Sequence, residues 1–178
     1  MQQIYEGHAW VFGDHVSTDE ILPGRYLDRS IDEVGRYALT GLDETFPERV
    51  APGDFVVAGV NFGCGSSREA AVLALKQAGV SAVIARSFAR IFFRNAINNG
   101  FPAVIIADPS GIHPSDRLRL DLAARTVINL RGGEAVPIQN LTGTSQEILR
   151  HGGIVAYTLA RIQGTRREGA GREGAGRG

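Results

Sequence analysis

Along this 178-residue chain the spacing of apolar positions changes several times, and each change marks an element. Ile4 to Phe12 reads as a strand. Asp54-Phe55-Val56-Val57-Ala58-Gly59-Val60 is a short β-rich run that ends in a glycine-rich loop. From Ser67 to Ala78 the apolar residues Ala71, Leu75 and Ala78 recur at helical spacing, with Gly79 as the stop. Ser81 to Ala85 is a second buried strand. A helix from Ser87 to Asn98 follows, carrying Phe88, Ile91, Phe92 and Ile97, and Pro102 to Ala107 is a third strand. A β-loop-α-β-α-β order favours parallel strands, with functional loops at their carboxyl ends. The flank differs: Arg117 to Leu122 alternates with period two, Thr126 to Leu130 follows, and Gly132-Gly133 turns into a strand at Glu134 to Ile138. Ser145 to Leu149 and Ile154 to Ile162 read as helices. The predicted class is α/β: a mostly parallel central sheet flanked by helices, with an antiparallel β annex.

The last fifteen residues break the pattern, because Arg167-Glu168-Gly169-Ala170-Gly171 is repeated as Arg172-Glu173-Gly174-Ala175-Gly176. A segment with no apolar side chain larger than alanine cannot offset its ordering entropy, so 164–178 is expected to be a disordered tail and 1–163 the folded domain.

Composition narrows the function. With 19 basic and 19 acidic residues the net charge is zero, so no overall positive field draws nucleic acid or an anionic membrane. The tail holds four arginines and two glutamates, which leaves the body at about −2. No apolar run approaches the roughly 20 residues that span a bilayer, and Met1 to Glu6 lacks the basic and apolar regions of a secretion signal. The expectation is a cytoplasmic protein. Cys64 is the only cysteine, so a disulfide within the chain is impossible and an iron-sulfur cluster lacks its ligands.

The most informative string is Asn61-Phe62-Gly63-Cys64-Gly65-Ser66-Ser67-Arg68-Glu69, between a strand and a helix. Backbone N–H groups and the positive end of the helix dipole favour an anion there, and Arg68 adds a planar fork of donors for a carboxylate. A dinucleotide fingerprint needs a third glycine where Arg68 stands, a P-loop needs Gly-Lys-Ser/Thr, and a nucleophile elbow needs a glycine where Glu69 stands. One of Ser66 and Ser67 is expected to cap the helix, and the other is then free to act as a base. Cys64 reads as a packed or peripheral thiol, with a nucleophile as the alternative.

A polar stretch precedes this unit, from Asp14-His15 through Ser17-Thr18-Asp19-Glu20 to Arg25-Tyr26-Leu27-Asp28-Arg29. Asp14, His15 and Asp19 are read as caps and surface groups in preference to metal ligands. Arg25, Tyr26, Leu27 and Arg29 suit a mixed pocket wall. Ser87 to Gly100 mixes arginines with aromatics at helical spacing, which favours core packing over RNA stacking. Arg90 and Arg94, one turn apart, face solvent, a partner or the mouth of the site.

Taken in order and at this spacing, Gly13-Asp14, Ser17 to Leu27, Asn61 to Glu69 and Ser87 to Phe92 resemble the small subunits of isopropylmalate dehydratase and homoaconitase. These belong to the aconitase superfamily and are similar to the swivel domain of aconitase. The resemblance spans residues 4 to about 160. It implies a hydro-lyase subunit that moves a hydroxyl between adjacent carbons of a malate-type acid in leucine biosynthesis, or in lysine biosynthesis for homoaconitase. It also implies a large partner subunit that carries a four-iron four-sulfur cluster, with no cofactor held by this chain. Ser66 corresponds to the catalytic base, and Ser67, Arg68, Arg25, Tyr26 and Leu27 to substrate-binding residues. Two positions depart from the pattern: Ala70 stands where histidine is common, and Asp28-Arg29-Ser30 is an unusual substrate loop. Leu27 favours an isopropyl group, whereas Arg25 or Arg29 would receive an extra carboxylate. A different class, an RNA- or protein-binding module using the arginine-rich tail, is the remaining alternative.

Overall fold

The computed structural model describes residues 3–141 and 143–163, so the expected tail lies outside the described residues. Its elements, in chain order, are β1 (Ile4–Val11), α1 (Thr18–Ile21), α2 (Phe46–Arg49), β2 (Phe55–Ala58), α3 (Glu69–Gln77), β3 (Ala82–Ala85), α4 (Arg90–Asn98), β4 (Ala103–Ile105), β5 (Arg117–Asp121), β6 (Thr126–Asn129), β7 (Ala135–Pro137) and α5 (Gly143–Arg150). A last helix, α6, covers 154–163. Short 3-10 turns at Gly24–Tyr26 and Val34–Tyr37 complete the frame.

A single seven-stranded sheet runs in the order β4-β3-β2-β1-β5-β6-β7. Its β4 to β1 half is parallel and its β1 to β7 half is antiparallel, so the expected annex is a continuation of the main sheet through β1. Side-chain patterns follow from this. All four residues of β2 and of β3 are buried, because parallel strands covered on both faces need continuous apolar runs. β5 buries only Leu118 and Leu120 among its arginines, because one of its faces meets water.

Alternation sorts the strand residues into two cores. Val56, Ala58, Val83 and Ala85 join Ala71, Val72, Ala74 and Leu75 of α3. Phe55, Val57, Ala82 and Ile84 pack on the other face with Leu118, Leu120, and Ile148 and Leu149 of α5. At the β4 edge, α4 gives Phe92 and Ala96 to the first core and Ile97 to the second. The predicted helix-sheet-helix layering therefore holds. The functional loops, after β1, β2 and β3, all leave from the same carboxyl end of the parallel half.

Two buried carboxylates tie neighbouring strands of the sheet together, Asp54 at β1 and β2 and Asp116 at β5 and β6. Asp54, with a side chain 6% exposed, accepts hydrogen bonds from His8 N, Trp10 Nε1 and Ala51 N at 2.9, 2.9 and 3.0 Å. Burial pushes its pKa up, but these donors, Trp10 foremost, outweigh burial and hold it below the ordinary carboxylate range. Asp116 is lowered as well, by the His113 N–H and the Asn129 amide with Arg131 nearby.

A depressed folded-state pKa contributes stability that is complete above the unfolded value of about 3.9 and is lost as pH falls through the lower folded value. Asp54→Asn should therefore lower unfolding stability at neutral pH by about 1–3 kcal/mol, because an amide N–H₂ then faces the Trp10 and backbone donors. In urea titrations the gap from wild type should narrow as the medium is acidified. A gap that stays constant down to strongly acidic pH would contradict this role.

Candidate active site

The loop after β2 is shaped by backbone conformation before any chemistry enters. Asn61, Gly63 and Gly65 take left-handed φ values of 58°, 79° and 97°. At Gly63 a Cβ would lie 2.2 Å from Cγ of Phe92, so this position needs both the conformation and the absence of a side chain. Phe62 makes a strand-like bridge to Phe88, and Ala89 N–H donates to Phe62 O at 2.9 Å. Phe62, Phe88 and Phe92 pack as an aromatic floor, with edge-on and stacked contacts of 5.2 to 6.1 Å.

The same loop is sewn to the segment that follows β1. Gly63 N–H donates to Val16 O at 2.7 Å, Thr18 N–H to Cys64 O at 2.8 Å, and Thr18 Oγ1 to Ser66 O at 3.1 Å. That segment is rigid in itself, because Ser17 and Glu20 form a reciprocal capping box at the start of α1. Arg68 then closes the junction: its Nη1 donates to Asp19 Oδ1 at 2.6 Å and to Leu22 O at 3.3 Å. The Arg68 side chain is 17% exposed, whereas Asp19 is open to solvent. Gly24 lies beside this pair, within about 4.0 Å of Arg68 Nη2 as measured from a built Cβ, and brings the Arg25-Tyr26-Leu27 turn alongside.

These facts place each residue singled out from sequence. Ser66 and Ser67 are exposed, and neither hydroxyl bonds another described residue. The expected serine cap is corrected: α3 begins at Glu69, its N-cap position is Arg68, and no side chain caps it. The reason is long-range, since the Ser66 carbonyl and the Arg68 guanidinium are both held by the α1 segment, which keeps the chain extended until Glu69. Arg68 is not a free fork but an arginine anchored through one nitrogen, with no described partner on Nε or Nη2. Tyr26 stacks on Tyr37 at 4.0 Å, Arg25 lies 4.8 Å over the Tyr26 ring, and Arg29 lies 5.9 Å over Tyr37. Leu27 is 41% exposed.

Asp14, His15 and Asp19 diverge. Asp14 accepts from Val60 N at 2.8 Å, the His15 ring lies 3.2 Å from the Asn61 amide, and Asp19 holds Arg68. Cys64 Sγ donates to His15 O at 3.3 Å, as a peripheral thiol. Among the described residues no group of three or more His, Cys, Asp or Glu is placed to hold a metal ion, and no helix is long and apolar enough to cross a membrane. Sequence reading did not identify Asp19 as the partner of Arg68, or Thr18, Tyr37 and Ser87 as supports. Ser87 Oγ, which accepts from Asn61 N at 2.8 Å, is one such hidden support. The Ser17-x-x-Glu20 signature was the one local signal for α1.

Two concavities of the described residues, of about 320 and 500 Å³, lie away from the serines, the first against Arg86 and Asp108, the second around His8, Trp10 and Asp54. Neither includes Ser66, Ser67 or Arg68. The candidate site is thus an open ledge: two unbonded hydroxyls, one anchored guanidinium and an exposed leucine.

Residues 19–108 match the family model described as the aconitase C-terminal domain. The chain is 52% identical over 154 residues to the 3-isopropylmalate dehydratase small subunit 2 of Methanopyrus kandleri, covering 85% of this chain and 90% of that protein. It is 46% identical over 160 residues to the methanogen homoaconitase small subunit of Methanocaldococcus jannaschii, covering 89% of this chain and 93% of that protein. A crystal structure of 3-isopropylmalate dehydratase from Methanocaldococcus jannaschii superposes with a TM-score of 0.87 at 42% identity, over 93% of this chain and 99% of that one.

If the close approach of Gly63 to Phe92 sets the loop, Gly63→Ala should destabilise the chain by about 2–4 kcal/mol, combining overpacking with a side chain at positive φ. Gly13→Ala, where a built Cβ meets nothing within 4 Å, is the control and should lie within about 0.5 kcal/mol of wild type. Equal melting temperatures for Gly63→Ala and wild type would contradict the packing assignment.

Proposed function

The chain belongs to the aconitase C-terminal domain family, and on that premise we propose that it is the small subunit of 3-isopropylmalate dehydratase, working in leucine biosynthesis. The reaction is the reversible removal and re-addition of water that converts 2-isopropylmalate into 3-isopropylmalate. The observation that carries the reading is the convergence of Ser66, Ser67 and Arg68 with Asp19, Gly24 and the Tyr26-Leu27 turn on one ledge.

Ser66 Oγ is the proposed base. It takes a proton from the carbon adjacent to the hydroxyl-bearing carbon as hydroxide departs on the opposite side, and it returns a proton when water adds back. A serine does this only as an alkoxide, which requires a dry and electropositive surrounding. On the open ledge of the isolated chain that condition is not met. It follows that a second chain must cover the ledge before Ser66 becomes basic.

Ser67 and the Nε and Nη2 of Arg68, which have no partner among the described residues, are proposed to bind a substrate carboxylate. Asp19 and the Leu22 carbonyl hold Nη1, so little guanidinium motion is left to lose on binding. Leu27 faces outward for an alkyl group, while Arg25 and Arg29 lie over tyrosine rings. This arrangement favours an isopropyl side chain over the extra carboxylate of homoaconitate.

The chain's own donors do not fit a four-iron four-sulfur cluster. Its single thiol bonds a backbone carbonyl, and among the described residues no group of three or more His, Cys, Asp or Glu is gathered to hold a metal. We therefore assign the cluster to a large partner subunit. What this chain supplies is the base, the carboxylate donors and the alkyl wall.

Anaerobic reconstitution with a cluster-bearing large chain tests the reading. Each chain alone should be inactive, and the pair should isomerise 2-isopropylmalate in preference to homoaconitate. Full activity of this chain by itself, or a preference for homoaconitate, would overturn it. Within the active pair, Ser66→Ala should lower kcat by about 10²–10⁴ with assembly intact. Arg68→Lys should raise KM roughly tenfold, because an ammonium cannot hold Asp19 and a carboxylate with the same planar geometry. Near-normal turnover of the first variant, or an unchanged KM for the second, would remove that residue from its role.

A further inference from the structure

The function proposed above does not use α4, yet its outward face is unusual. Arg90 and Arg94 stand one turn apart, both exposed, and neither has an ion pair or hydrogen bond among the described residues. Between them Ile91 is 51% exposed. The helix carries no acidic residue at all, and Arg90 is its first residue, where the helix dipole disfavours a cation. Beside it runs a groove of about 400 Å³ whose lining includes Arg90, Phe93, Arg94, Thr144 and Ile148 and no carboxylate. At least seven of the twelve other described arginines are ion-paired, among them Arg68 with Asp19, Arg86 with Asp108, and Arg117 and Arg119 with Glu6. Two guanidinium groups without a described acidic partner, beside an exposed isoleucine, form a surface complementary to an acidic chain.

We propose that this face of α4, made by Arg90, Ile91 and Arg94, docks an acidic segment of the large partner subunit, with Ile91 as the apolar contact between two charge-assisted ones. The inference rests on the two-chain reading given under the proposed function. Continuity supports it at the first turn of α4, which begins directly beneath the site loop, where Ala89 N–H bonds Phe62 O at 2.9 Å. A chain that covers Ser66 would lie near that turn, where Arg90 stands. Charge argues against the chain's own tail as occupant, since 164–178 has four arginines and only two glutamates. It also disfavours a polyanion, which needs a longer cationic track than two arginines on a body of about −2.

The test is the affinity of the full chain for the cluster-bearing chain, measured anaerobically at low and moderate salt. Wild-type affinity should fall as salt rises. The double variant Arg90→Glu with Arg94→Glu should bind about 100-fold more weakly, whereas Arg90→Lys with Arg94→Lys, which keeps the charge, should stay within about fivefold. If the glutamate variant fails to fold, as judged by circular dichroism, the single variant Arg94→Gln is measured instead and should lose about tenfold.

Unchanged affinity in the glutamate variant would overturn the docking proposal while leaving the two-chain reading intact. So would an equal loss in the lysine variant, or a loss confined to self-association of this chain or to salt-sensitive RNA binding. Failure of the wild-type chain to bind the large chain at all would overturn both.

Discussion

Everything at the candidate site depends on one junction, in which the loop leaving β2 is clasped by the segment leaving β1, 49 residues away. The clasp has three layers. Backbone hydrogen bonds join Gly63 to Val16 and Thr18 to Cys64, the Thr18 hydroxyl holds the Ser66 carbonyl, and Arg68 reaches Asp19 and the Leu22 carbonyl. The ion pair alone would be a modest contribution, since Asp19 is solvent-exposed and such pairs are worth about 0–1 kcal/mol. Its importance is geometric: it fixes which guanidinium nitrogens are committed and which remain for a ligand.

The sheet prepares that junction. β1 and β2 are parallel neighbours, so the loops following them emerge side by side. Below, Phe62, Phe88 and Phe92 form an aromatic floor that leaves no room for a side chain at Gly63. Next to the clasp, His15 and Asn61 both adopt left-handed φ and lie against each other through their side chains. Non-glycine residues seldom take that conformation without a surrounding structure that requires it, and here the requirement comes from two loops sharing one narrow space.

Much of the fold was legible because its signals are local. Buried runs such as Phe55–Ala58 and Ala82–Ala85 are continuous apolar strings, and the alternation of Arg117–Asp121 declares a strand with one wet face. The starts of α3 and α4 were read two to three residues early. In both cases a long-range tie keeps the chain extended where local preference would allow a helix, at Ser66 through the Thr18 hydroxyl and at Phe88 through the Phe62 backbone. The four-residue α1 escaped detection because it is too short for any period, although its capping box was present in the string. The serines and arginine of the site were visible as a motif. The partner of Arg68 was not, because no local rule links Asp19 to a residue 49 positions away.

The same geometry supports the proposed need for a second chain. The proposed base and carboxylate donors sit on an open ledge, the lone thiol donates to a backbone carbonyl, and Arg68 is already held through one nitrogen. The central claim, that Asp19 makes Arg68 a positioned carboxylate receptor, is tested most directly by a double-variant cycle on kcat/KM in the reconstituted two-chain enzyme. The variants are Asp19→Asn, Arg68→Lys and the two combined. The account predicts strong coupling: each single variant loses roughly tenfold or more, and the double variant loses little beyond the worse single one. Losses that simply multiply would show that the two residues act independently and would contradict it.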